Sequence, residues 1–123
     1  MPTLPKRYPR SGCPLATTLD LLGDRWTLVV VRDLLTGKKR FAEFLESPER
    51  ITTSVLSDRL LYMERTKLIE KTPYQKNPIR FEYRLTRKGL GLLPVIQEIC
   101  RWANRFIPGT WTPPRSFMKR KVQ

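Results

Sequence analysis

The chain has 123 residues, enough for one domain with a single core, and carries 24 basic against 11 acidic side chains for a formal net charge of +13. It has no histidine and two cysteines, Cys13 and Cys100, so neither a disulfide framework nor a zinc-ligand set is expected, and an enzyme would have to work with carboxylates or lysine. The longest apolar run, LVVV, cannot span a bilayer and MPTLPKRYPR lacks a signal-peptide core, so the expectation is a cytoplasmic protein with no membrane segment, cofactor or metal.

Residues 1–12 are proline-rich and carry Lys6, Arg7 and Arg10 without an acid, which reads as an extended basic arm. Pro14 suits the first turn of a helix, where its missing N–H costs nothing, and Gly23 ends that helix. RWTLVVVRDLLTG makes a second helix, with Trp26, Val29, Val30 and Leu34 inward and Gly37 as its stop. After the basic stretch KKR, FAEFLES forms a brief third helix closed by Pro48. A fourth helix starts at Thr52, whose hydroxyl can cap it, and runs to about Arg65.

The period then changes. RFEYRLT alternates strictly, with Arg80, Glu82 and Arg84 on one face and Phe81, Tyr83 and Leu85 on the other, the pattern of a half-buried strand. LIEKTPY before it is a weaker strand that Pro73 places at an edge, and QKNPI supplies the turn of a basic hairpin. From Thr86 one long helix runs to about Phe106 with a kink at Pro94. Residues 108–123 form a second extended arm carrying Arg115, Lys119, Arg120 and Lys121 and no acid.

Four helices, a hairpin and a long helix in this length make an α+β fold, a winged helix-turn-helix over residues 13–107, with the long last helix for dimerisation. The fourth helix supports this. Val55, Leu56 and Leu60 are apolar, whereas Thr52, Thr53, Ser54, Ser57 and Asp58 are short polar groups that allow close approach to base edges. The competing reading is an ordinary solvated face. Charge sits instead at the margins, where phosphates position a protein without reading sequence. The expected partner is double-stranded DNA; the alternative, a basic RNA-binding or ribosome-associated protein, calls for exposed stacking aromatics, whereas Phe41, Phe44, Phe81 and Tyr83 fit a core.

The segments CPLATTLDLLGDRWTLVVVRDLLTGKKRFAEF, ITTSVLSDRLLYMERTKLIEK and NPIRFEYRLTRKG together resemble the HxlR-type family of bacterial transcription regulators, distantly similar to the MarR type. Matching features are Cys13-Pro14, Gly23-x-x-Trp26, Lys39-Arg40-Phe41, Leu56-x-x-Arg59-Leu60, Tyr83-x-Leu85-Thr86 with Gly89, and Trp102, over about residues 13–106. One departure is Lys67, which stands before Leu68-Ile69 where the family usually has glycine. The resemblance implies a homodimeric repressor on a palindromic operator whose half-sites lie about one helical turn apart or a multiple of it.

It also implies that Lys38, Lys39 and Arg40 lie beside the DNA backbone, with Lys76, Asn77 and Arg80 as the wing. Arg59 reads as structural, in a salt bridge to Glu43 or Glu64. In the last helix Leu92, Ile96, Ile99 and Ala103 make one apolar stripe, and Val95, Trp102 and Phe106 a second. One helix in one domain needs a single such face, so the excess marks a dimer interface shared with the first helix. Cys100, among these residues, reads as packing. Cys13 stands at a helix start, where a thiolate is favoured, and the resemblance makes it a candidate sensor thiol for an oxidant or electrophile. A small packed interface residue is the other reading, and a small-molecule effector stays open.

Overall fold

The computed structural model describes residues 10–122. In chain order it has α1 (Pro14–Leu22), α2 (Thr27–Leu35), α3 (Phe41–Leu45), α4 (Thr53–Arg65), β1 (Ile69–Lys76), β2 (Ile79–Leu85), α5 (Arg87–Leu90), α6 (Leu93–Phe106) and α7 (Arg115–Lys119). The helix starts have local causes. Pro14 opens α1. The Asp24 carboxylate accepts from the N–H groups of Trp26 (3.0 Å) and Thr27 (2.9 Å) at the start of α2. Glu43 reaches back to the N–H groups of Lys39 (2.9 Å) and Arg40 (2.8 Å) before α3. Thr52 caps α4, its hydroxyl accepting from the Val55 N–H at 3.3 Å. Each such cap satisfies donors that the helix itself cannot.

The end of α4 explains the departure at Lys67. The Leu68 N–H bonds the Met63 carbonyl (2.9 Å) and the Lys67 N–H bonds that of Glu64 (3.1 Å), a Schellman motif. It requires Lys67 to be left-handed, and its φ is 66°. Met63 and Leu68, both fully buried, supply the hydrophobic contact that accompanies the motif.

Around these two residues the core gathers Val30, Val31 and Leu35 from α2, Phe44 from α3, Leu56 and Leu60 from α4, and Leu93 and Ile96 from α6. Burying each aliphatic side chain of this size contributes about 1.5–3 kcal/mol. The buried side of α2 is therefore turned by about one residue from the sequence expectation: Val30 is inward as expected, but Val31 and Leu35 join it while Val29 and Leu34 are only half-buried.

β1 and β2 pair antiparallel from Ile69↔Leu85 to Lys76↔Ile79, closed by Asn77–Pro78 with a cis peptide bond. A register shift between Pro73 and Gln75 leaves Tyr74 as the extra residue of a bulge. Arg40 bridges to Glu82 on the other side of β2, and the Tyr83 N–H donates to the Lys39 carbonyl (2.8 Å). β2 is thus central and β1 an edge strand, where Pro73 is tolerated. Gly89 lets α5 meet this end of the hairpin: a Cβ there would stand 2.2 Å from the Leu68 carbonyl oxygen. This is the winged helix-turn-helix expected from the sequence, with α3 and α4 as the two-helix unit and the hairpin as wing.

Two expectations are corrected. The single helix from Thr86 to Phe106 is broken: Thr86 caps the short α5, Gly91 ends it, and Pro94 lies in the first turn of α6. A continuous helix would drive the Pro94 ring into the carbonyl four residues back, so the chain restarts instead of kinking. Nor is the segment after Ile107 an extended arm. It forms α7 and folds back, with Phe117 packed against the core. The N-terminal arm falls mostly on residues 1–9, outside the described residues; Arg10 pairs with Asp20 at 2.9 Å.

Replacing Lys67 by glycine should raise the free energy of unfolding by about 0.5–1 kcal/mol, because relief of the left-handed strain exceeds glycine's entropy in the unfolded chain. Urea titration should show a later midpoint at unchanged slope, with Lys67→Ala close to wild type. A lower midpoint for Lys67→Gly would show that the turn is not left-handed in solution.

Candidate nucleic-acid interface

α4 is amphipathic in the sense needed for reading a groove. Leu56, Leu60 and Met63 are buried, while Thr53, Ser54, Ser57, Asp58, Leu61 and Arg65 are exposed along the opposite side. Thr52 is exposed too, its hydroxyl engaged as the cap.

What keeps that side outward is a polar clamp on the inner flank. Arg59 is only 8 % exposed; its guanidinium holds Asp58 (2.7 Å) and Asp24 (3.5 Å) and lies 4.8 Å from the centre of the Tyr62 ring. Its structural role is as expected, but its acids are not Glu43 and Glu64. Glu43 caps α3, and Glu64 pairs with Lys71 on β1. The reason is rotational: Arg59 faces the start of α2, whereas Glu64 faces the hairpin. Asp58 also differs from a bare base-reading carboxylate, since one of its oxygens is held by Arg59. The Tyr62 hydroxyl donates to the Leu21 carbonyl at the end of α1 (2.8 Å), and burial raises its pKa.

Asp24 is the acid at the centre of the clamp. Burial would raise its pKa, but the Thr27 hydroxyl, the Trp26 and Thr27 N–H groups and the Arg59 charge outweigh that and hold it below the usual 3.8. The sequence signal was only an Asp three residues before a Thr at a helix start.

The basic residues divide into held and projecting groups. The Lys38 ammonium donates to the Ser47 hydroxyl (2.7 Å), which donates to the buried Asp33 carboxylate (2.5 Å). Arg32 completes this network with Asp33 (2.8 Å) and Glu49 (2.6 Å) and has its pKa raised, chiefly by the hydrogen bond to Glu49. Arg40 pairs with Glu82 (2.9 Å) and stacks 3.8 Å over Tyr74, the bulge residue; Lys39 lies 3.6 Å from Glu82. These contacts tie the stretch before α3 to the wing. Lys76, Asn77 and Arg80 are all exposed at its tip, beside Ile79, which is 58 % exposed. Sequence reasoning missed Arg50, exposed and left-handed (φ 59°) just before α4, and Leu61 on the outer face.

The expected dimer residues fall on two sides of α6. Val95, Ile99, Trp102 and Phe106 are exposed, with the Trp102 and Phe106 rings 5.5 Å apart. Ile96 is buried and Leu92 half-buried against the chain's own core. The stripe that joined Ile96 to Ile99 is therefore split, because α6 begins at Leu93 and its inner side is set by Leu93 and Ile96. Leu15 and Leu19 of α1 are likewise exposed. Cys13 is exposed at the N-cap of α1; the backbone N–H groups of Ala16 and Leu15 in the first turn, with the Arg10 charge, lower its pKa. Cys100 packs against the core. Among the described residues no helix is long and apolar enough to cross a membrane, and no three His, Cys, Asp or Glu gather as a metal site.

Comparison with known proteins agrees with this architecture. The model of the HxlR-like helix-turn-helix family matches residues 21–110. The HTH-type transcriptional regulator YdeP of Bacillus subtilis is 38 % identical over 95 residues, 77 % of this chain and 74 % of YdeP. The reduced form of the transcriptional regulator YodB from B. subtilis superposes with a TM-score of 0.66 at 32 % identity, covering 82 % of this chain and all of that one. The redox regulator HypR in its oxidised form gives 0.67 at 31 % identity over 76 % of this chain and 96 % of HypR.

Asp24 binds its proton less readily folded than unfolded, so its contribution to stability is present above its ordinary value of 3.8 and is lost as pH falls through the lower folded value. Asp24→Asn should therefore be less stable than wild type at neutral pH, with the gap closing below that range. Urea midpoints of both proteins across acid pH measure this; a gap independent of pH would remove the charge from the clamp.

Proposed function

The chain belongs to the HxlR-like helix-turn-helix family of transcriptional regulators, and on that premise we propose that it acts in the cytoplasm as a homodimeric repressor on a palindromic double-stranded operator. The observation that carries this is the outer side of α4, short polar groups held outward by the buried Arg59 clamp, together with the exposed cationic residues of the wing tip. Thr53, Ser54, Ser57 and the outer oxygen of Asp58 read base edges in the major groove, with Thr52 as cap at its edge. Lys76, Asn77 and Arg80 contact phosphate or the minor groove. Lys39 and Arg40 serve the backbone while bracing the wing; Lys38 acts more through Ser47 than directly. Val95, Ile99, Trp102 and Phe106, with Leu15 and Leu19, form the twofold interface, which Leu92 and Ile96 support from beneath.

Ser57→Ala should relax base preference at one position in each half-site, at a cost of about 1–3 kcal/mol on the preferred sequence. Lys76→Gln should weaken all duplexes alike and lower the slope of log K against log salt by about 1. Sedimentation should give a dimer bound to one duplex. Unchanged base preference in Ser57→Ala, or a monomer on single half-sites, would refute the reading.

The repressor is further read as responsive to oxidants or electrophiles through Cys13. Supporting this are the thiol's exposure and lowered pKa, its place beside Leu15 on the proposed interface, and the likeness to HypR, named a redox regulator. Diamide or mild peroxide should release operator DNA from wild type and from Cys100→Ser but not from Cys13→Ser. Retained DNA with Cys13 shown modified by mass spectrometry would leave the thiol without a sensing role.

A further inference from the structure

The family match ends at residue 110, yet the segment beyond it is tied to α6 along that helix's length. After Phe106 the chain reverses at Gly109, whose φ of 85° is left-handed, and runs back along the helix. Asn104 donates to the Thr110 hydroxyl (3.0 Å) and the Trp111 carbonyl (2.9 Å). Arg101 donates to the Met118 carbonyl (3.4 Å). Gln97 donates to the carbonyls of both Phe117 (2.9 Å) and Arg120 (2.8 Å). Positions 97, 101 and 104 are three and four apart, so they share one stripe of the helix. This is a polar stripe, distinct from the inner stripe of Leu93 and Ile96 and the outer stripe of Val95, Ile99 and Trp102.

The far end of the segment reaches a different element. The Arg120 guanidinium donates to the Leu35 carbonyl at the end of α2, where a cation is favoured by the helix dipole. Gln97 is 7 % exposed, and an amide so buried needs these carbonyl partners to offset its lost hydration. Phe117 fixes the middle by packing on the core. The segment therefore spans from the helix that carries the outer apolar stripe to α2, whose Val30, Val31 and Leu35 share the core with Phe44 of α3 and Leu56 and Leu60 of α4.

We propose that residues 110–120 are a strap that fixes the angle between α6 and the helix-turn-helix, and thereby sets the separation of half-sites that the protein accepts, with Gln97 and Arg120 as positioning residues. This rests on the dimeric reading above. In a twofold dimer joined through α6, the angle between α6 and α2 decides how far apart the two α4 helices stand. The other charges of this segment, Arg115 and Lys119 in the strap and Lys121 just after it, are not needed for this.

The test uses a duplex selected by the wild-type protein from a random pool, and derivatives with base pairs added or removed between the half-sites. Wild-type affinity should fall by about a hundredfold off the best spacing, because both half-sites can no longer be engaged together. Gln97→Met keeps the volume and removes both donors, and Arg120→Gln, at an exposed residue, removes only the tie to α2. Both should bind the altered spacings within about tenfold of the best while keeping wild-type affinity for one half-site. The triple variant Arg115→Gln, Lys119→Gln, Lys121→Gln should keep the sharp profile and bind all duplexes more weakly. A sharp profile shared by wild type, Gln97→Met and Arg120→Gln overturns the strap alone, even if their melting temperatures drop. A wild-type protein indifferent to spacing overturns both the strap and the dimeric reading beneath it.

Discussion

The side of α4 that carries Thr53, Ser54 and Ser57 stays outward only if the helix keeps its rotation about its axis, and the Arg59–Asp24 pair holds that rotation. A buried guanidinium is tolerated only with charge and hydrogen-bond partners around it. Arg59 has carboxylates on two sides and the Tyr62 ring beneath. Asp24, in turn, is spent on the first N–H groups of α2. One residue of slip turns a helix by about 100°. A slip that puts Leu56 where Ser57 stands would expose it and bring Val55 inward, and it would also leave Arg59 without Asp24. Apolar packing alone specifies that rotation loosely, since Val55 could take the place of Leu56. The polar clamp specifies it sharply.

Glu82 does for the wing what Asp24 does for α4. It takes Arg40, which makes an isolated bridge to β2, and lies near Lys39. The bulge at Tyr74 turns that ring under the Arg40 guanidinium. Charge at the base of the hairpin is thus neutralised in place, and uncompensated cations are left to the tip. Surface pairs of this kind add little stability one by one. Their effect is positional, holding the hairpin at one angle to α3.

The elements were legible in the sequence because each is dictated locally. Strict alternation from Arg80 to Leu85 has no helical solution, Thr52 announces its cap, and the missing glycine at Lys67 correctly marked a left-handed residue. Contacts between elements were not legible. Nothing in the spacing of charges says that Arg59 meets Asp24, thirty-five residues earlier, in preference to Glu64 on its own helix. The same holds for Lys38, expected beside the DNA backbone but bonded to Ser47 in the loop before α4. The roles assigned to the outer residues of α4 and to the wing tip rest on exposure and chemistry together, and exposure could be expected from the sequence only as the complement of the apolar stripe.

The α6 helix shows where periodicity runs out as evidence. With 3.6 residues per turn, a helix has room for three stripes, and the sequence marks apolar ones by composition alone. Ile96 and Ile99 are three apart and were joined into one stripe, although burial puts the first in the core and the second in solvent. The discriminating residue was Gln97. A polar residue between two apolar stripes reads as surface, and only the return of the chain over it shows that it is interior. Once that return is seen, the helix divides into three sides: an apolar one for its own core, a polar one for the strap, and an apolar remainder. Val95, Ile99, Trp102 and Phe106 are that remainder, and nothing else among the described residues covers them.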